Sequence, residues 1–327
     1  MKLVRGLRGI AACALAFSAL PAIAATVPGN YDAVYVFGDS LVDAGNIATL
    51  TANRTPNPAL GYKNGRFTNG YDYVDYINYE LFGTPTRASL QGGNNYAFGG
   101  ARVVTDTVDT IPDLTLQIST YAAAKGGAAD PNALYILNAG GNDIFALERF
   151  QAGQTNQLLP FTNSADYINA IVSTYSGQVK RLNDLGARNI LITGIPNATD
   201  PQAFTIDALL QTALDGVSLN AETNLYRFSY LKFFGRLQTD PGSLGLPPLR
   251  TDLSCIQLQA QASDCAGIFS FDGTHPTAAV QSALFRDIAR QFGVSAVPEP
   301  RVWAMMLGGF LLAGAAIRRR QRRVAFA

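Results

Sequence analysis

The stretch Tyr35-Val36-Phe37-Gly38-Asp39-Ser40-Leu41-Val42-Asp43-Ala44-Gly45-Asn46 decides how the rest of the chain is read. An apolar run from Val34 to Phe37 stops abruptly at Gly-Asp-Ser. This pattern predicts a buried strand entering a tight turn, with Ser40 at the strand's C-terminal edge. Open α/β sheets bind ligands beyond that edge, so Ser40 is a candidate nucleophile. A serine alone is weakly reactive and needs a base and an oxyanion pocket. The plain alternative is a turn serine capping the next helix. The choice between them rests on residues far downstream.

The chain has 327 residues, 48% hydrophobic and 15% charged, enough for one large domain with a substantial core. Its net charge of +1 hides an asymmetry. Residues 1–25 hold three basic and no acidic residues, and from Pro298 onward there are six Arg and one Glu. Setting these aside leaves 16 basic and 23 acidic residues, a balance of −7. An acidic body argues against nucleic acid as a partner, because phosphate binding needs a basic surface.

Both ends read as sorting signals. A basic start (Lys2, Arg5, Arg8), an apolar stretch from Ile10 to Leu20 and Ala22-Ile23-Ala24 form a secretory leader over residues 1–24 with an A-x-A cleavage site. The apolar stretch is too short for a membrane anchor. The body is expected over residues 26–296. In the tail, residues 297–327, Pro298-Glu299-Pro300 precedes an apolar run from Val302 to Ile317 and an arginine cluster from Arg318 to Arg323. That run is near the lower length limit of a membrane span, with the arginines on the cytoplasmic side. Of three cysteines, Cys13 lies in the leader. Cys255 and Cys265 remain, and in an exported protein they are expected to pair. Closing that short loop contributes about 2–3 kcal/mol in the chain-entropy view.

Along the body, apolar β-like runs alternate with helical patterns, which predicts βαβ units around a parallel sheet. Strands are expected at Val34–Gly38, Ala133–Leu137, Asn189–Thr193 and, briefly, Tyr226–Tyr230. Helices are expected at Tyr71–Phe82, Ser164–Leu185 with Ser164 as its cap, Phe204–Tyr226 and Pro276–Phe292 with Pro276 near the first turn. Gln238–Asp264, rich in Pro, Gly and polar residues, reads as loop.

The sequence contains a single histidine, His275, in Phe271-Asp272-Gly273-Thr274-His275-Pro276. Any histidine chemistry must use it, which excludes zinc sites needing two or more histidines. An aspartate three positions before it can fix the ring tautomer and stabilise the imidazolium, leaving the other nitrogen free to take a serine proton. An acyl-transfer site also needs donors aimed at the developing oxyanion. Asn94-Asn95-Tyr96-Ala97-Phe98-Gly99-Gly100-Ala101-Arg102 offers backbone N–H groups in a glycine turn, and Gly140-Gly141-Asn142-Asp143 offers a side-chain amide at a strand end. Taken singly, each is an ordinary turn.

Together and in this order, the blocks resemble the GDSL family of lipases and esterases in the SGNH hydrolase superfamily. The resemblance implies a nucleophile at Ser40, oxyanion donors at Ser40, Gly100 (rather than Gly99) and Asn142, a triad acid at Asp272 and a base at His275. Asn64-Gly65-Arg66-Phe67-Thr68-Asn69-Gly70 also looks like a segment of the larger members. The implied fold is a flavodoxin-like three-layer α/β/α sandwich with a mostly parallel sheet. The implied reaction is hydrolysis of a small-molecule or lipid ester with no metal or organic cofactor. Relatives acting on acetylated sugars make carbohydrate deacetylation the rival reaction, and a non-catalytic surface protein on this scaffold is the other alternative. The match is loose between Thr199 and Ser270. The tail resembles a PEP-CTERM sorting signal, which implies an exosortase-like processing enzyme as partner, transient membrane association through the tail, and an exported or cell-surface protein.

Overall fold

A computed structural model describes residues 31–258 and 265–293. The expected leader and the 297–327 tail, with its span, lie outside the described residues. Among the described residues no helix is long and apolar enough to cross a membrane.

Four strands, β1 (Val34–Gly38), β2 (Leu134–Asn138), β3 (Asn189–Ile192) and β4 (Asn224–Arg227), form one sheet in the order β1-β2-β3-β4, and every pair is parallel. A fifth extended segment, Asn94–Phe98, runs along the free edge of β1. Val36 N–H donates to Asn94 O, Tyr96 N–H to Val36 O and Phe98 N–H to Gly38 O. Counting that segment, the chain order across the sheet is 2-1-3-4-5, the flavodoxin-like arrangement.

Successive residues of a strand face opposite sides, and both sides of this sheet are covered. Tyr35, Phe37, Tyr135, Leu137, Ile190 and Ile192 pack against α3 (Leu114–Ala124), α4 (Gly141–Gln151), α5 (Ser164–Leu185) and α6 (Pro201–Asp215). Val34, Val36, Leu134, Ile136 and Leu191 pack against α2 (Tyr73–Phe82), α7 (Tyr230–Thr239) and α8 (Ala278–Phe292). The result is a three-layer α/β/α sandwich. A short helix, α1 (Asn46–Leu50), follows the first turn.

The element boundaries correct several expectations. Asn163, not Ser164, caps α5, its side chain accepting from Asp166 N–H at 2.9 Å, and Gly186 ends the helix. Pro276 precedes the N-cap Thr277 rather than sitting in the first turn of α8. The expected Phe204–Tyr226 helix starts earlier, at Pro201 behind the Asp200 cap, and stops at Asp215. The strand expected at Tyr226–Tyr230 is β4, Asn224–Arg227, and Ser229 then caps α7, which the residue pattern does not announce. α3 and α4 are also additional to the expected elements, and Pro241–Leu244 forms a 3₁₀ turn within the expected loop.

Candidate active site

The β1 turn starts with a glycine that nothing else can replace. A Cβ on Gly38 would stand 1.9 Å from the carbonyl oxygen of Asn138 on β2, and its φ is +152°. This close approach lets the chain leave the sheet at once. Gln117 of α3 then clasps the Gly38 peptide from both sides. Gly38 N–H donates to Gln117 Oε1 and Gln117 Nε2 donates to Gly38 O, each at 2.8 Å.

Ser40 stands at the top of this turn. Its Oγ lies 2.7 Å from Nε2 of His275, whose Nδ1 lies 2.6 Å from Oδ2 of Asp272. Residues 235 positions apart in sequence thus meet in one unbroken line. The Asp272 loop is built for this. Thr274 and His275 N–H donate to Asp272 Oδ1 at 2.9 and 2.8 Å, and Gly273, at φ +102°, makes the bend. Tyr62 Oη donates to Asp272 Oδ2 at 2.7 Å. Burial pushes Asp272 up, but the His275 ring and N–H and the Tyr62 hydroxyl outweigh it and hold the carboxyl down at about 2.

The Asn64–Gly70 segment straps this loop to the body. Thr68 Oγ1 donates to Pro276 O at 2.8 Å, Asn69 Oδ1 accepts from Ala278 N–H at 2.8 Å, and Phe67 lies against the His275 ring at 5.1 Å. Arg66 anchors the strap through a buried fork on Asp75 of α2, at 2.8 and 2.9 Å. From the other side, Cys255 and Cys265 are joined in a disulfide. Cys255 and Ile256 N–H donate to Ser270 O and Phe271 O, which sets this crosslinked loop against the base of the Asp272 turn.

The oxyanion candidates divide clearly. Gly99 N–H is taken by Asp43 Oδ2 at 2.9 Å. Gly100 N–H and Ser40 N–H donate to no acceptor among the described residues. Asn142, in the first turn of α4, spends one amide hydrogen on Ala101 O at 2.8 Å, beside Gly100, and keeps the other. Ser40, Asn142 and His275 line one cleft of about 660 Å³, and Gly100 is not among its lining residues. Leu41, Phe234, Leu237, Leu249 and Phe269 supply the apolar side of that cleft.

Three buried carboxylates frame these donors. Asp43 accepts from the N–H groups of Gly45, Asn46, Ile47 and Gly99. Asp143 accepts from Val103 and Val104 N–H and from Tyr167 Oη, tying α4 to the loop that carries Gly100. Burial raises both, and the backbone donors oppose it. Asp39 accepts from Leu41 N–H and Asn138 Nδ2, while Asn138 Oδ1 accepts from Tyr73 and Tyr230. Burial, reinforced by Asp143 and Asp43, pushes Asp39 up to about 7 despite the Leu41 and Asp39 N–H groups.

Sequence reasoning did not assign Asp43, Asp143, Asn138, Gln117 or Tyr62. The first two stand inside the motifs already quoted. A carboxylate one position from the candidate oxyanion amide Asn142, or three from the candidate nucleophile Ser40, is the signal that marks them. Gln117 and Tyr62 carry no local signal, because their partners are 79 and 210 residues away.

The profile of the GDSL-like lipase/acylhydrolase family matches residues 34–288. Among curated proteins, the chain is similar to the GDSL esterase/lipase LTL1 of Arabidopsis thaliana, 31% identical over 50% of this chain and 52% of that one. It is similar to Lipase 1 of Photorhabdus luminescens, 32% identical over 51% of this chain and 22% of that one. The chain therefore spans about half or less of these two relatives. A second GDSL esterase/lipase of Arabidopsis thaliana is 25% identical over 81% of this chain and 90% of its own. Motif order, sheet topology and a profile match over most of the length agree that the chain belongs to the GDSL-like lipase/acylhydrolase family.

Proposed function

We propose that the protein is an exported serine hydrolase that cleaves carboxylic esters through a covalent acyl-enzyme. The observation that carries this reading is the unbroken Ser40–His275–Asp272 line, with contacts of 2.7 and 2.6 Å. His275 Nε2 takes the Ser40 proton as Oγ attacks the ester carbonyl, and Asp272 stabilises the imidazolium that forms. The negative charge that develops on the carbonyl oxygen is met by Ser40 N–H, Gly100 N–H and the free amide hydrogen of Asn142. His275 then protonates the leaving alcohol. A water, deprotonated by the same nitrogen, attacks the acyl-enzyme and releases the acid.

The apolar side of the cleft, with Phe234, Leu237, Leu249 and Phe269, supports acyl chains longer than acetyl as substrates. Export and processing of the tail rest on the sequence features of residues 1–24 and 297–327. The test is hydrolysis of a nitrophenyl ester series by wild type and variants. Ser40→Ala abolishes turnover with the fold intact, and Asn142→Ala loses about 10²–10³ in kcat. Wild-type turnover by folded Ser40→Ala refutes the assignment. A clear preference for acetyl esters of sugars over longer acyl esters refutes the substrate reading.

A further inference from the structure

One hydroxyl at the site has no part in the steps above. Tyr62 Oη donates to Asp272 Oδ2, the oxygen that also faces His275 Nδ1. The other carboxylate oxygen, Oδ1, is filled by the N–H groups of Thr274 and His275. Of these four donors, only Tyr62 comes from outside the loop, 210 residues away in sequence. Its ring is fixed edge-on against Phe271 at 4.9 Å and against Phe67 at 6.4 Å, and Phe67 in turn contacts His275. Burial, and then the carboxylate itself, push the Tyr62 hydroxyl above its ordinary range, so it remains a donor through neutral pH.

We infer that Tyr62 is a positioning residue that weakens the hold of Asp272 on the His275 ring and so extends the ring's action as a base to lower pH. The inference rests on the triad reading proposed above. Two donors on one oxygen compete for the same negative charge. Each stabilises the carboxylate, and each leaves less charge for the other. With Tyr62 in place, Asp272 favours the imidazolium less strongly, and Nε2 stays unprotonated further into acid. The two backbone donors on Oδ1 keep the carboxylate in place without Tyr62, so its loss alters the balance rather than the fold. The groups facing His275 are few. Asp272 comes from its own loop, Ser40 from the β1 turn and uncharged Phe67 from the strap. Asp39 beside Ser40, and Glu148 and Asp252 on the cleft wall, are the other carboxylates of the cleft; Asp252 is paired with Arg250.

The single histidine makes a direct test possible, since every imidazole signal belongs to His275. The full chain carrying Tyr62→Phe keeps the ring packing and loses only the hydroxyl. Its imidazole NMR signals are expected to titrate at a pH higher than wild type by about 0.5–1 unit, and the acid limb of kcat/KM to move by the same amount. Replacing Tyr62 with 3-fluorotyrosine, a stronger donor of nearly the same shape, moves both downward, and this arm stands even if Tyr62→Phe fails to fold. An unmoved midpoint, or movement in the opposite sense, overturns the inference. Asp272→Asn separates the two layers of the argument. If Asp272→Asn keeps wild-type kcat/KM, the triad reading fails. If it collapses kcat/KM while the Tyr62 variants titrate like wild type, the role of Tyr62 alone fails.

Discussion

At the scale of single residues, the site depends on backbone geometry before it depends on side-chain chemistry. Ser40 reaches His275 only because Gly38 passes within contact of the Asn138 carbonyl, where a Cβ would overlap backbone at 1.9 Å. The neighbour is a strand peptide in register with β1, and its carbonyl accepts from Asp39 N–H, so it cannot give way as a flexible side chain would. Gly38→Ala is therefore expected to displace the β1 turn and cost several kcal/mol, at the high end for point changes (more than about 4). A denaturation midpoint checks it, and a variant as stable as wild type would show that the turn has room to relax. This requirement was half visible in sequence. The Gly-Asp-Ser stop after an apolar run marks the turn, and the lone histidine with its aspartate marks the proposed base. The clasp of Gln117 was not visible, because an amide on an ordinary amphipathic helix differs from any other until the helix is docked.

At the scale of elements, the strap and the Cys255–Cys265 crosslink hold the Asp272–His275 loop against the body. Arg66 on the strap is 6% exposed and forms a fork on fully buried Asp75. Removing one member of such a pair leaves the other charged and unpaired, a loss of about 3–5 kcal/mol. Arg66→Ala should therefore melt earlier and, by loosening Phe67 and Thr68 from the His275 loop, lower kcat at temperatures well below melting. Thermal denaturation and turnover on one preparation check both parts, and an unchanged melting point would remove the strap from the account. The strands β1, β2 and β3 were legible from apolar runs ending in Gly or Asn. α7 was not. Its helical face, with Tyr230, Phe233, Phe234 and Leu237 buried, follows a strand so short and half-exposed that the boundary between them carries no turn residue except Ser229. α4 was hidden for the opposite reason: two glycines that read as a turn are the start of a helix, and Asn142 takes its position from that helix.

At the scale of the whole molecule, several buried carboxylates surround the site, and stability carries their signature. Asp39 and Asp113 both sit at about 7, raised chiefly by burial from a normal value of 3.8. Between those limits the folded chain holds protons that the unfolded chain releases, so stability is greatest on the acid side and falls as pH rises towards 7. Asp272 acts in the opposite sense. Its contribution is lost only as pH falls from 3.8 towards about 2, outside that window. The melting temperature is therefore expected to decline between pH 4 and pH 7, and Asp39→Asn, which keeps an acceptor for Leu41 N–H, to flatten the decline. An Asp39→Asn profile parallel to wild type would contradict the buried-carboxylate account. The acidic balance of the body was readable from the sequence, but which carboxylates are buried was not, since burial is set by packing across the whole sheet. The meeting of Ser40 and His275 also belongs to this scale, because the two residues come from nearly opposite ends of the body. Labelling of the full chain with a fluorophosphonate, followed by peptide mapping, tests it most directly. The account predicts a single adduct, on Ser40, that forms in wild type and is lost in a folded His275→Ala variant; an adduct elsewhere, or labelling of Ser40 at an undiminished rate without His275, would contradict it.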